Sequence, residues 1–289
     1  MTKGAVLLGG LLLWGMAALP LSAQNLAAEH DAEVWHQAKT LYELGSAKSR
    51  AGDNLGAIAE YDQAIELRVT FVQAYCNRAV SKLVLGDIDG ALADCNQAIK
   101  LDASVPEGFG DRASCEIMRG DLNSALIDLN QAIALKPFYP ASFYAHRGDV
   151  RRRLGDLQGA LADCNQAVRS DDKQEDAYIN RSRVRLQLGD RDGATADLDK
   201  ALAINPKDSM AYVERGDLER SDANLAAALA DYGQALQFNP NNAIAYLGRA
   251  LAKEAQQDLA GAAADLNQAL QIDPKLSSAY SIRARIEEK

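Results

Sequence analysis

The chain has 289 residues, with 31 Lys and Arg against 40 Asp and Glu, a formal net charge of -9. That acidic balance excludes wrapping of nucleic acid, which needs a basic stripe for phosphate contacts. Ala, Leu, Asp and Gln are abundant, aromatics reach only 6%, and Val/Ile/Thr runs are missing, so the composition favours helix over sheet.

The N-terminus stands apart from the rest. Lys3 supplies a positive start, Ala5 to Leu19 is an apolar run containing Trp14, Pro20 breaks it, and Leu21-Ser22-Ala23 offers small residues. This is the layout of a secretory signal peptide, residues 1–23, and implies an exported protein, periplasmic or secreted. The alternative is an uncleaved membrane anchor, although the run is short against the roughly 20 residues that span a bilayer. Membrane contact is expected only in that second case. Residues 24–37 form a polar lead-in, with the first helix expected to start at Trp35 and His36.

From residue 38 the sequence repeats itself every thirty-four residues: AYCNRAVSKLVLGDIDGALADCNQAI from Ala74 returns as AYINRSRVRLQLGDRDGATADLDKALAI from Ala177. A fixed period of this size marks a stacked helical array. Seven units follow, 38–71, 72–105, 106–140, 141–174, 175–208, 209–242 and 243–276, the third one residue longer, and then a terminal helix at 277–289 whose charged end suits a cap. Position 8 is always small (Gly45, Ala79, Ala113, Gly148, Ser182, Gly216, Ala250), and positions 20 and 27 are always Ala, while position 24 is bulkier. Small residues there let two helix axes approach closely. Gly-Asp at positions 15 and 16 of the first five units ends one helix and caps the next, whereas Ala223-Asn224 and Gln257-Asp258 lack the glycine.

This recurring set resembles the tetratricopeptide repeat family over nearly all of the chain after residue 37. The resemblance implies an all-α fold, a right-handed α-solenoid of seven helix-turn-helix units plus a C-terminal capping helix. It places helix A of each unit along a concave groove, and implies protein or peptide recognition without catalysis.

Two positions depart from the family. Position 7, usually apolar, is Arg78, Arg112, Arg147, Arg181, Arg215 and Arg249, and position 23 is Asp94, Asp128, Asp163, Asp197, Asp231 and Asp265. In a hairpin that turns between positions 15 and 16, residues whose positions sum to about 31 stand level. An internal Arg–Asp ladder is therefore expected, because partly buried charges are normally paired; the alternative is a ligand-binding arginine stripe. At position 11, Arg112–Glu116 and Arg215–Glu219 are spaced to pair along one helix.

Chemistry-bearing constellations are few. His30, His36 and His146 are too scattered for a metal site, no phosphate loop is present, and no enzyme, metal or cofactor is expected. Among the four cysteines, Cys95 and Cys115 stand nearly level across the inter-unit turn and are the best disulfide pair. The groove that the resemblance implies would be lined by Val80, Leu83, Val84, Ile117 and Met118, with Cys76 and Gly110 among them, and then by Arg152, Arg153, Arg183 and Arg220. Such a face suits an apolar segment followed by acids. The Lys/Asn pair by which some family members hold a C-terminal carboxylate is not matched. The expected role is a non-catalytic interaction scaffold of the cell envelope. Alternatives are a membrane-anchored assembly factor and a non-catalytic subunit of an envelope enzyme complex.

Overall fold

The computed structural model describes residues 21–287, all in helices or the turns between them. The apolar run and most of the expected signal peptide lie outside the described residues. The chain divides into two compact units, residues 1–86 and 87–289.

The first unit holds α1 (Leu21–Arg50), α2 (Asn54–Leu67) and α3 (Val72–Val84). Helix α1 begins well before Trp35, correcting the expected start: from Leu21 to Leu44 no Gly or Pro interrupts a run rich in Ala, Glu and Gln. The lead-in also packs. Trp35 lies against Phe71 with ring centroids 4.8 Å apart, and Arg68 donates to Asp31 at 3.0 Å.

The second unit holds α4 (Ile88–Leu101), α5 (Pro106–Arg119), α6 (Leu122–Ala134), α7 (Ala141–Arg153), α8 (Leu157–Ser170), α9 (Glu175–Gln187), α10 (Arg191–Ile204), α11 (Ser209–Ser221), α12 (Leu225–Phe238), α13 (Ala243–Ala255), α14 (Leu259–Ile272) and α15 (Ser277–Glu287). From α5 onward, each odd-numbered helix up to α13 packs on the even-numbered one that follows it. The alanines that recur at positions 20 and 27 are fully buried: Ala125, Ala132, Ala160 and Ala167 have no exposed surface. Bulk is traded across each hairpin. Tyr232, itself fully buried, sits where a Cβ on Gly216 would stand 3.0 Å from its ring and one on Gly248 only 2.4 Å. A larger side chain at either glycine would overpack the core.

The turns repeat the same chemistry. Asp156 and Asp190 accept backbone N–H groups from Gly159 and Gly193 at 2.9 and 3.0 Å, opening α8 and α10. Gly120, Gly155 and Gly189 are left-handed, with φ of 83 to 89°. Where the glycine is lost, the hairpin keeps the geometry: Ala223 and Gln257 are forced to φ of 62 and 63°. The extra residue of the third repeat falls in the α6–α7 connection, where Phe138 and Tyr139 pack edge to face at 4.7 Å, both exposed. Helix α15 closes the stack by burying Ala279 and Ile286 against Ala250, Leu266 and Leu270.

Candidate functional site

Two sets of charged side chains lie on the odd-numbered helices, and they have different surroundings. The first is the ladder. Arg112, Arg147, Arg181, Arg215 and Arg249 each meet the aspartate sixteen residues on, in the paired helix, through Nε and Nη2 at 2.6–2.9 Å. Their partners Asp128, Asp163, Asp197, Asp231 and Asp265 are buried. The remaining nitrogen reaches the preceding repeat: Nη1 of Arg112, Arg147 and Arg181 donates to Asn96, Asn130 and Asn165, and that of Arg215 to Asp199, at 2.7–3.0 Å. Arg249 lacks this third contact because Gly233 occupies the equivalent position. Each guanidinium also covers an aromatic ring three residues earlier on its own helix, as Arg181 covers Tyr178 at 5.3 Å. One arginine thus ties two helices of its repeat to the repeat before it.

Arg78 belongs to the first unit, where it pairs with Asp62 at 2.5 Å and covers Tyr75; Asp94 belongs to the second. Position 11 reinforces the ladder where it is basic. Arg151, Arg185 and Lys253 each add a bond of 2.8 Å to Asp163, Asp197 and Asp265. Burial works to raise the Asp265 carboxyl, but the bonds from Arg249 and Lys253 outweigh it and hold it below the ordinary aspartate range.

The expected helix-internal pairs do not form. All three guanidinium nitrogens of Arg112 are engaged by Asp128 and Asn96, Glu116 receives none of them, and its Oε2 is buried without a hydrogen-bond partner. Arg215 is likewise occupied by Asp231 and Asp199, and Glu219 instead accepts from Asn224 at 2.9 Å.

The second set lies on the faces expected to line the groove. In the first unit Val80 and Val84 are exposed and Leu83 is half-buried. In the second unit Met118 is exposed, while Ile117 is half-buried against the core around Phe109 and Leu129. Cys76 and Gly110 are buried and offer little surface. The arginines are already matched. Arg152 bonds Asp149 at 2.7 Å, with Arg153 4.0 Å from the same carboxylate. Arg183 is bound to Glu214 on the next odd-numbered helix and donates to Asn180 at 3.1 Å. Arg220 meets Asp217 and Tyr232. Burial raises the Glu214 carboxyl despite Arg183 beside it. Arg183, Leu186, Glu214, Asp217, Leu218 and Ser221 surround an open pocket of about 300 Å³.

Position 6 carries much of this network, and sequence reasoning passed over it. Asn180 is buried and donates to the Ala145 carbonyl at 3.2 Å, and Glu214 holds Arg183. The signal was available: position 6 is polar in every unit but the last (Glu43, Asn77, Asp111, His146, Asn180, Glu214), beside a position 5 that is mostly apolar.

The disulfide is corrected. Cys95 and Cys115 do meet, but as two buried thiols, a hydrogen bond from Cys95 lowering the Cys115 pKa. Burial pushes the Cys164 thiol up to about 12. Among the described residues no group of three or more His, Cys, Asp or Glu could hold a metal ion.

A tetratricopeptide repeat family model matches residues 42–106, 179–239 and 209–277, more than half of the chain. The chain belongs to the tetratricopeptide repeat family. Its fold class is an α-solenoid of seven such repeats followed by a C-terminal helix. Comparison with curated proteins gives no significant match. Solved tetratricopeptide structures share the fold at low identity. A chain of the APC/C hetero-tetramer Cut9–Hcn1 is 16% identical over 84% of this chain with a TM-score of 0.76; this chain spans about half, 48%, of its length. A tetratricopeptide repeat protein from Parabacteroides merdae is 19% identical over 87% of this chain and 99% of its own, with a TM-score of 0.65. PilF of Pseudomonas aeruginosa is 18% identical over 74% and 97%, with a TM-score of 0.61.

Proposed function

We propose that this tetratricopeptide repeat protein is a non-catalytic scaffold that holds a peptide segment of a partner protein on the odd-numbered helices of its second unit. One observation carries the reading: the pocket at Arg183 and Glu214 combines an apolar floor, Leu186 and Leu218, with converging polar groups. An apolar anchor of the partner fills the floor. Its polar groups exchange with the charges around it, and Arg153, the most loosely paired of the arginines, receives an acid. Residues 1–23 act in this reading as a cleaved export signal, placing the scaffold in the cell envelope. Among the described residues no helix is long and apolar enough to cross a membrane.

The test is to pan a random dodecapeptide phage library over the full chain and titrate the enriched peptides by fluorescence anisotropy. Ser221→Trp, which blocks the pocket from an exposed position, should weaken binding by about tenfold or more. Ile127→Glu on α6 should not. Equal binding by both variants, or no enriched peptide, would overturn the reading. N-terminal sequencing of protein from the envelope fraction should begin at Gln24; an intact Met1 would refute cleavage.

A further inference from the structure

Tyr42, Ser46 and Arg50 of α1, Tyr61 of α2, and Asn77 and Val80 of α3 surround a cavity of about 270 Å³ in the first unit. Its polar groups converge. Asn77 Nδ2 donates to the Tyr42 hydroxyl at 3.1 Å and to Ser46 Oγ at 3.2 Å, and the buried Tyr61 donates to Ser46 at 3.3 Å. No acid lines the cavity. Arg50 is exposed and has no ion pair or hydrogen bond among the described residues, and the Tyr42 O–H has no acceptor among them.

The sixth repeat shows what joins such groups. There Tyr232, at the repeat position of Tyr61, donates to the Asp217 carboxylate at 2.7 Å, and Arg220 bonds the same carboxylate at 3.2 Å. Asp217 stands at position 9, which is Ser46 in the first repeat. The fourth repeat also has an acid at position 9: Asp149 lies 4.0 Å from Arg153, which holds the repeat position of Arg50. With serine at position 9, the first repeat keeps the tyrosine and the arginine but lacks the carboxylate between them.

We propose that this cavity binds the side-chain carboxylate of an Asp or Glu on a partner protein, held by the Arg50 guanidinium and the Tyr42 hydroxyl. A guanidinium matches a carboxylate through two parallel N–H bonds, and donors gathered around one positive charge select an anion. The exposed Val80 and the Tyr42 ring offer apolar surface to the methylene stem of that acid. The inference takes from the reading above only that the partner is a protein. It adds a second contact, in the first unit, that does not depend on the pocket at Arg183 and Glu214.

The test pans the dodecapeptide library on the full chain carrying Ser221→Trp, after depletion on the same chain that also carries Arg50→Gln. Displayed peptides are fused at their C-terminus and the enriched ones are synthesised as C-terminal amides, so only a side-chain acid can respond. Each should contain Asp or Glu, and by fluorescence anisotropy should bind Arg50→Gln about tenfold or more weakly than the wild type. Replacing the peptide's acid by its amide should weaken binding to the wild type equally and leave binding to Arg50→Gln unchanged. Ser46→Asp, which supplies the acid from within as Asp217 does, should weaken binding by a similar factor. Thermal melts followed by circular dichroism check folding; Arg50 has no bond to lose, so Arg50→Gln should keep the wild-type Tm. No enrichment over the depleted control, enriched peptides without an acid, or equal binding by the wild type and Arg50→Gln would overturn the site. Each of these results leaves the reading of the Arg183 pocket standing, because that pocket is blocked throughout the panning.

Discussion

Glu116 stands against Asp128, on the ladder rung where the fourth, fifth and seventh repeats place Arg151, Arg185 and Lys253. Two acids share that rung with the single guanidinium of Arg112, which bonds only one of them. The third repeat, like the sixth with Glu219, therefore lacks the second cation that reinforces the other rungs, and its Glu116 has a buried oxygen with no hydrogen-bond partner. Glu116→Lys should stabilise the protein by about 1 kcal/mol, read as a higher urea midpoint with unchanged slope. A lower midpoint would mean that Glu116 has a partner of its own.

The same rung sets a pH dependence. Burial first, and Asp128 second, raise the Glu116 carboxyl to about 7. The folded state therefore binds the proton more tightly than the unfolded chain, and this group's contribution is greatest below about pH 4.5 and is lost as pH rises toward 7. Asp111 and Glu175, also raised to about 7, act in the same sense. Glu116→Gln should flatten the decline in stability between pH 5 and 8 without abolishing it. Identical profiles for the two proteins would contradict the assignment.

The ladder predicts strong coupling across a hairpin. Asp197 accepts from both Arg181 and Arg185, so Asp197→Ala strands two guanidinium groups and should cost about 3–5 kcal/mol. The double variant Arg181→Leu/Asp197→Leu should cost less than Asp197→Ala alone. A double-mutant cycle built on these positions should give a coupling energy of at least about 1 kcal/mol. Additive effects would contradict the pairing.

Backbone strain in the last two hairpins is open to repair. Ala223 and Gln257 hold the left-handed conformation that glycine supplies at Gly155 and Gly189. Ala223→Gly and Gln257→Gly should each stabilise by about 1 kcal/mol, and Gly155→Ala should destabilise by a similar amount, in denaturant titrations.

Much of this was legible in the sequence because a repeat multiplies each signal. The spacing of Arg181 and Asp197 follows from the symmetry of a hairpin turning at Gly189, so the level of each rung could be read directly. The bond from Arg181 to Asn165 could not, since it depends on how one repeat leans on the previous one, which no position rule within a unit contains. The Arg112–Glu116 expectation failed for a related reason. A guanidinium has one set of donors, and the buried Asp128 outcompetes a neighbour on the same helix. Position 6 was missed because its side chains matter only between repeats, as Glu214 does when it holds Arg183. Helix α1 outruns its expected start because nothing in the polar stretch before Trp35 stops a helix.

The most direct test of the binding face is photo-crosslinking of an enriched library peptide to the full chain carrying p-benzoylphenylalanine at Gln187, exposed beside Leu186, or at Ile127 on α6. The peptide should be captured at position 187 and not at 127. Capture at 127 with none at 187 would place the partner on the other face of the repeats and contradict the account.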